Sequence, residues 1–122
     1  MRIISGKFKG TKLKSPSNFK IRPTTDRIKE TVFSMIESQK YSSSIFGKYF
    51  LDLFSGSGSI GIEAFSRGAQ NVYMIENNYH SLELIKQNIL KLNLSKEEKN
   101  KMILIRQNVL ELGKLNLPTF NF

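Results

Sequence analysis

A glycine-rich turn and two acidic residues have the spacing best suited to chemistry in this sequence. The turn runs from Ser55 to Ser59, and Asp52 stands four residues before its first glycine, Gly56. Glu76 closes the next apolar run along the chain. Glycines allow a ligand to approach the backbone, and a helix that begins after them points free N–H groups at that ligand. Because a carboxylate at the tip of the following strand can accept both hydroxyls of a ribose, the pattern predicts a nucleotide site.

The elements that position this turn are predicted from the apolar runs on either side of it. Tyr49–Phe54 is short and almost continuously apolar, which is typical of a strand buried on both faces of a parallel sheet. A helical pattern begins at Ile60 and stops at Gly68, and Val72–Ile75 is a second apolar run. The order of strand, glycine turn, helix, strand and acid predicts one βαβ unit.

The turn itself is open to two interpretations. The spacing Gly56-x-Gly58-x-x-Gly61 fits the dinucleotide fingerprint and is compatible with an NAD-binding oxidoreductase domain. Asp52 argues against that class, because an acid buried inside a strand needs partners, and the backbone of the glycine turn can supply them. A strand-end acid that faces solvent is the alternative for Asp52.

Further elements are predicted on both sides of this unit. A helix begins after Thr24 or Thr25 and ends near Tyr41, and its apolar face consists of Ile28, Val32, Met35 and Ile36. A second helix follows Asn77-Asn78, and its buried stripe consists of Leu82, Ile85, Ile89 and Leu92. Residues 95–101 have the composition of a charged connector, and 102–105 are a third buried strand.

The end of the third strand carries one more candidate binding residue. Asn108 lies just past that strand, at the rim where ligands of open α/β sheets bind, and its amide could hydrogen-bond an adenine edge. Capping of a short helix at Val109–Leu112 is the alternative, and both roles are compatible. Phe120–Phe122 has the pattern of the opening of a fourth strand.

The length and composition limit the kinds of protein and binding site that the sequence can form. The length of 122 residues suits one modest domain. With no cysteine and one histidine, His80, the sequence offers neither disulfides nor a thiolate or multi-histidine metal site. Since the sequence shows no apolar run long enough to span a bilayer and no secretory signal, we expect a cytoplasmic protein with no metal, no membrane association and no obligate protein partner.

Positive charge is concentrated near the start of the chain. Residues 1–29 hold nine Lys and Arg residues and one acid, Asp26, giving 9 − 1 = +8 of the chain's net +9. A basic arm on a nearly neutral body predicts a polyanion partner, with nucleic acid favoured over an anionic membrane surface or a general solubility charge. The first residues suggest a small β-hairpin, in which Phe8 between two lysines either stacks on a base or packs onto the body.

Three segments together resemble the bacterial 16S rRNA (guanine(966)-N(2))-methyltransferase family. Met1–Leu13 resembles the opening basic hairpin of that family. Arg22-Pro23-Thr24-Thr25-Asp26-Arg27 with Glu30–Phe33 resembles its most distinctive signature, although helix capping also explains the polar residues there. Leu51–Gly58, followed by Gly61, Glu63-Ala64 and Ser66–Ala69, is similar to its S-adenosylmethionine (SAM) loop and helix. The likeness covers all 122 residues, and the Arg-Pro-Thr-Thr-Asp-Arg block is its most specific part.

The resemblance implies a class I SAM-dependent methyltransferase: a Rossmann-like α/β fold with a mostly parallel sheet, flanking helices and an N-terminal basic hairpin. It divides the chain into a hairpin and linker, 1–20, and a SAM-binding domain, 21–122. The expected cofactor-binding residues are Asp52, Ser55, Gly56, Ser57, Gly58, Glu76, Asn77 and Asn108. The expected contacts to 16S rRNA of the small ribosomal subunit are Arg2, Lys7, Phe8, Lys9, Lys12, Arg22, Thr24, Thr25 and Arg27.

The resemblance places no catalytic residue within these residues. The family's Asp/Asn-Pro-Pro-Phe/Tyr motif follows the fourth strand, and the sequence stops at Phe122, as that strand opens. We therefore expect the cofactor-binding part of a guanine-N2 methyltransferase, truncated at the fourth strand and without activity by itself. A non-catalytic RNA-binding fragment is the main alternative, and an NAD-binding oxidoreductase domain is the other.

Overall fold

A parallel β-sheet forms the centre of the fold. The structure, a computed structural model, describes residues 1–16, 25–38, 44–53 and 55–122. Among these residues the sheet has three strands in the spatial order β1-β2-β3, namely β1 (Tyr49–Asp52), β2 (Asn71–Glu76) and β3 (Met102–Arg106). Both neighbouring pairs are parallel. The positions of the three predicted strands are confirmed, although β1 ends at Asp52 and Phe54, its predicted end, lies outside the described residues. The predicted full burial of β1 and β3 is wrong, since Phe50 is the one buried residue of β1 and Met102 the one buried residue of β3.

Helices connect the strands and pack against the sheet. Within the described ranges the α-helices are α1 (Asp26–Ile36), α2 (Ser59–Ser66), α3 (Tyr79–Leu90) and α4 (Lys96–Lys99), and a 3₁₀ helix follows at Val109–Lys114. Gly61 allows α2 to lie close to β2, since a Cβ at that position would stand 2.8 Å from the Cγ and Sδ atoms of Met74. The βαβ unit and the overall α/β class are confirmed.

The buried stripe of α3 agrees with the prediction, and its N-cap is Asn78, whose side chain accepts a hydrogen bond from the Ser81 N–H. Leu82 and Ile85 are buried, and Ile89 packs against the same core. The predicted connector after α3 contains a helix instead. Ser95 and Glu98 form a reciprocal capping box that starts α4, a pattern that is visible in the sequence as a serine followed three residues later by a glutamate.

The helix α1 and its Thr25 N-cap are confirmed, although the helix ends at Ile36 and not near Tyr41. Of its predicted apolar face, Ile36 packs against the core and Val32 is partly buried, but the other two of the four positions are wrong. Ile28 and Met35 are 54% and 56% exposed, whereas the fully buried side chains are Lys29 and Phe33. Phe33 stacks on Phe50 of β1 with ring centroids 6.1 Å apart, which anchors α1 to the sheet. The helix can bury a lysine because α2 supplies a carboxylate to pair with it.

The N-terminal residues form the predicted β-hairpin. Arg2 and Lys12 are bridged in antiparallel pairing, and the Ile3 and Leu13 N–H groups donate to carbonyls across the hairpin. Ile3 and Leu13 are buried in the same hydrophobic core as residues of β1, β2 and α3. Both strands of the hairpin are therefore packed onto the body.

The free edge of β1 meets the last residues of the sequence. The Leu51 N–H donates to the Phe122 carbonyl at 2.8 Å, and the Phe122 N–H donates to the Tyr49 carbonyl at 3.3 Å. A residue that bonds two positions of its neighbour in this way follows the pattern of a parallel pair. The predicted opening of a fourth strand is thus seen in place, beside β1.

Candidate functional site

The glycine turn joins β1 to α2 at the carboxyl end of the sheet. Gly58 is the N-cap of α2 with φ 82°, and Gly56 has φ 53°, so both adopt a left-handed conformation that glycine favours. The Gly58 N–H donates to the Ser55 carbonyl at 2.7 Å, and the Ser55 hydroxyl donates to the Asp52 carbonyl at 3.1 Å. These bonds fold the turn tightly against the end of β1.

Glu76 lies beside this turn, at the end of β2. Its Oε2 atom accepts a hydrogen bond from the Gly56 N–H at 3.0 Å, and its Oε1 atom accepts from the Asn77 and Asn78 N–H groups at 3.2 Å each. The acid and the glycine turn, 20 residues apart in sequence, are therefore in direct contact. This is the juxtaposition that the sequence pattern predicts.

Asp52 is the last residue of β1, so the prediction that it lies inside the strand is wrong. Asn108 lies two residues past the end of β3, as expected from the sequence. Asp52 is partly buried and pairs in register with Met74 of β2. Asn108 is exposed, and its side chain accepts a hydrogen bond from the Leu110 N–H at 2.9 Å. It caps the 3₁₀ helix, so the capping alternative is observed, while contact with an adenine stays a prediction.

Several of the predicted RNA-binding residues contact the body of the protein. Lys7 donates to the Glu98 carboxylate at 2.8 Å, and this hydrogen bond, together with one from the Ser95 backbone, lowers the pKa of Glu98 to about 2. Phe8 stacks on Phe65 of α2 with ring centroids 6.1 Å apart. Arg2 is 3.7 Å from the Asp26 carboxylate. Of the two alternatives for Phe8, the structure shows packing onto the body.

The other predicted RNA contacts divide into three groups. Lys9, Lys12 and Arg27 are exposed. Thr25 is also exposed, and its hydroxyl accepts the Ile28 N–H in the N-cap of α1. Arg22 and Thr24 lie outside the described residues. The three exposed cations are thus the members of this set best placed to meet a phosphate from solvent.

One of the cations near the start of the chain is buried. Lys29 is among the nine that give residues 1–29 their charge, yet its side chain is 0% exposed and its Nζ lies 3.5 Å from Glu63 Oε1. Burial lowers the pKa of Lys29, and the neighbouring Glu63 carboxylate opposes that effect. Lys29 therefore contributes to the internal structure and is not accessible to a polyanion, which corrects the expected charge of the arm.

Three buried polar residues near the turn were not predicted from the sequence: Lys29, Glu63 and Asn88. Glu63 Oε1 accepts the Ile4 N–H at 2.8 Å, and its Oε2 accepts the Ser5 N–H at 3.0 Å. The available signal for Asn88 was its position three residues after Ile85, on the buried stripe of α3. A polar residue on such a stripe needs internal partners.

A separate cavity of about 640 Å³ opens at the amino end of the strands, away from the glycine turn. It is lined by the hairpin turn, by Phe46 and by the end of α2.

Within the part of the chain that the structure describes, no helix is long and apolar enough to cross a membrane, and no group of His, Cys, Asp or Glu side chains is placed to hold a metal ion.

Known proteins resemble this chain over most of its length. Residues 1–121 match the family described as conserved hypothetical protein 95. The chain is 36% identical over 123 residues to ribosomal RNA small subunit methyltransferase D of Haemophilus influenzae, covering 99% of this chain and 60% of that protein. It is 41% identical over 101 residues to a proposed rRNA methyltransferase of Bacillus subtilis, covering 79% of this chain and 50% of that protein.

A solved structure shares the fold. A proposed methyltransferase of Escherichia coli superposes with a TM-score of 0.72 at 29% identity, covering 92% of this chain and 55% of that one. The chain spans 50% of the length of the Bacillus subtilis relative and 60% of that of the Haemophilus influenzae relative. The Rossmann-like methyltransferase fold is therefore shown for the part of the fold that these residues build.

Proposed function

The chain belongs to the family described as conserved hypothetical protein 95, and from that membership we propose that it is the cofactor-binding part of a SAM-dependent rRNA methyltransferase. The proposed substrate is the exocyclic N2 amine of a guanine in 16S rRNA of the small ribosomal subunit, which is the activity the family resemblance implies. The proposed place of action is the cytoplasm. The whole enzyme's catalysis is proposed for a protein that also has the fourth-strand motif.

The contact between Glu76 and the glycine turn carries the proposal. Each carboxylate oxygen accepts more than one hydrogen bond, so Glu76 can hold the Gly56 N–H and a ribose hydroxyl together. The left-handed Gly56 and Gly58 keep side-chain bulk away from the ligand's path. We propose that Ser55–Gly58 lies under the methionine and ribose of SAM and that Asn108 reaches its adenine.

Methyl transfer from SAM depends more on positioning the donor and the amine than on covalent catalysis by the protein. When bound, SAM would supply the methyl group from its positively charged sulfur: the S–C bond would break as the N–C bond forms, S-adenosylhomocysteine would leave as a neutral thioether, and the amine proton would pass to water. In this proposal the chain's own residues fix the orientation of the donor, and pre-arranged geometry of that kind lowers the barrier. The Asp/Asn-Pro-Pro-Phe/Tyr motif would hold the amine, and it is not among the 122 residues.

Replacing Glu76 with alanine tests the cofactor site. Loss of a hydrogen bond to a charged group costs about 1.5–3 kcal/mol, so we expect the dissociation constant for S-adenosylhomocysteine to rise roughly 10- to 150-fold. Isothermal titration calorimetry measures it, with Glu111→Ala as the control because Glu111 is an exposed acid on the 3₁₀ helix. An unchanged constant in Glu76→Ala, or tighter binding of NAD than of S-adenosylhomocysteine, would refute the assignment.

We further propose that RNA binds the exposed cations of the hairpin. Lys9 and Lys12 are exposed on the hairpin, and Arg27 is exposed at the start of α1. Truncating the hairpin would not test this, because Ile3 and Leu13 belong to the hydrophobic core. Substitution of individual lysines removes charge and leaves the core intact.

The double substitution Lys9→Ala/Lys12→Ala is expected to weaken the salt dependence of RNA binding. Each phosphate contact contributes about 0.7–0.9 to the slope of log affinity against log salt concentration, so the slope should fall by about 1.4–1.8. Fluorescence anisotropy with a 16S rRNA fragment at several salt concentrations measures it. Lys91→Ala/Lys114→Ala is the matched control, since both lysines are exposed and neither belongs to the hairpin or to α4, which the hairpin contacts through Lys7 and Glu98. Equal slopes in the two double variants would show that RNA does not bind the hairpin.

A further inference from the structure

Asn88 of α3 connects the hairpin to the glycine turn. Its Nδ2 atom donates to the Ser57 carbonyl at 2.9 Å and to the Lys14 carbonyl at 3.1 Å. Its Oδ1 atom accepts the Lys14 N–H at 2.7 Å. The side chain is 0% exposed, so one buried amide holds the end of the hairpin and the middle of the turn in a single arrangement.

Lys29 of α1 makes a second connection of the same kind. Its Nζ atom donates to the Arg2 carbonyl at 2.5 Å and to the Ser59 hydroxyl at 3.0 Å. Ser59 is the first residue of α2, directly after the glycine turn. Arg2 is on the first strand of the hairpin, and Lys14 follows the second. The hairpin is thus fastened to the turn from both of its strands.

We propose that Asn88 and Lys29 are positioning residues that make binding of RNA to the hairpin and binding of cofactor to the turn depend on each other. The proposal rests on the proposed function for the two ligands. What it adds is a physical link, since Ser57 and Ser59, on either side of Gly58, are bonded to the same buried groups as Arg2 and Lys14.

The physical basis is the cost of leaving a buried polar group unpaired. If the hairpin moved away, Asn88 would lose its two bonds to Lys14, and its bond to Ser57 would no longer be held in place. RNA bound to the hairpin would keep the hairpin packed on the body and so preserve these hydrogen bonds. It would thereby stabilise the glycine turn in the conformation described above. Coupling between two binding sites is reciprocal, so cofactor on the turn strengthens RNA binding by the same factor.

The experiment compares cofactor affinity with and without RNA. S-adenosylhomocysteine is titrated calorimetrically into the chain, alone and saturated with a 16S rRNA fragment. We expect RNA to tighten binding roughly five-fold or more in the unmodified chain, the lower end of usual coupling factors. The ratio is the dissociation constant without RNA divided by that with RNA. In Asn88→Leu it is expected to fall towards one, because only the Lys29 connection remains. Gln87→Ala, which removes the hydrogen bond from Lys14 Nζ, is expected to keep the ratio of the unmodified chain.

A second variant covers the case in which Asn88→Leu does not fold. Ser59→Ala removes the hydroxyl that Lys29 Nζ bonds at the turn and introduces no buried charge, so its ratio is expected to fall towards one as well. A ratio of one in the unmodified chain, or an unchanged ratio in both Asn88→Leu and Ser59→Ala, would overturn the coupling. If either ligand fails to bind the unmodified chain, the proposed function fails together with the coupling. Binding of both ligands with a ratio of one overturns the coupling alone.

Discussion

Replacing Glu63 with alanine is expected to lower the free energy of unfolding by about 3–5 kcal/mol, the cost of removing one partner of a buried ion pair. The substitution leaves the buried Lys29 ammonium without its carboxylate. It also removes the acceptor of the Ile4 and Ser5 N–H groups and of Arg67 Nε, which lies 2.9 Å away. Urea denaturation followed by circular dichroism measures the change. Glu97→Ala, at an exposed acid on α4, should stay within about 0.5 kcal/mol of the unmodified chain.

A double-mutant cycle separates the ion pair from the other contacts of Glu63. Glu63→Gln leaves the buried Lys29 charge without its carboxylate, whereas in Lys29→Met the Glu63 carboxylate keeps its ion pair with Arg67. The double variant removes both charges of the buried pair, so it is expected to lose less stability than the sum of the two single variants. If the loss of unfolding free energy in the double variant equalled the sum of the two single losses, the interaction between Lys29 and Glu63 would contribute nothing to stability.

Gly6→Ala is expected to destabilise the protein by about 2–5 kcal/mol, combining left-handed backbone strain with steric overlap. Gly6 has φ +90°, and a Cβ there would lie 1.9 Å from the Ser66 carbonyl oxygen. The hairpin turn cannot move away from α2 to relieve this overlap without breaking a hydrogen bond, because the Lys7 N–H donates to that same oxygen at 2.8 Å. Thermal or urea unfolding measures the change in stability.

Gly10 provides a matched control for this substitution. Its φ is +88°, almost the same as that of Gly6, but apart from Gly10 itself and its two neighbours in the chain, no atom of the described residues lies within 4 Å of the position its Cβ would take. Gly10→Ala therefore reports the backbone strain alone, about 1–2 kcal/mol. If the two variants lost the same stability, close contact between the hairpin and α2 would be disproved.

The βαβ unit and the pairing of Glu76 with the glycine turn were predictable from sequence because their signals are local. The apolar runs indicate the strands, and the glycines indicate the turn. Parallel strands bring their carboxyl ends to the same edge of the sheet. The same logic predicts the Asn78 cap and the buried stripe of α3. These elements depend on residues within a few positions of one another.

The buried face of α1 was not predictable in that way. A single-sequence pattern selects Ile28 and Met35 as the core face, because both are apolar at helical spacing. The face that is buried contains Lys29, and the reason is Glu63, which lies on another helix. Asn88 is similar, since its partners are Lys14 and Ser57. Polar residues buried through distant partners leave no periodic signal of their own.

The docking of the hairpin also determines when this protein can finish folding. Lys14 bonds to Asn88, 74 residues later in the chain, and Lys7 bonds to Glu98, 91 residues later. At about 5–20 residues per second on a ribosome, synthesis of the first of these intervals takes roughly 4–15 s. During that time Ile3 and Leu13 have no complete core to enter. The hairpin residues are thus made well before the residues they contact, and a nascent chain carries an unshielded, strongly basic segment until α3 and α4 have been synthesised.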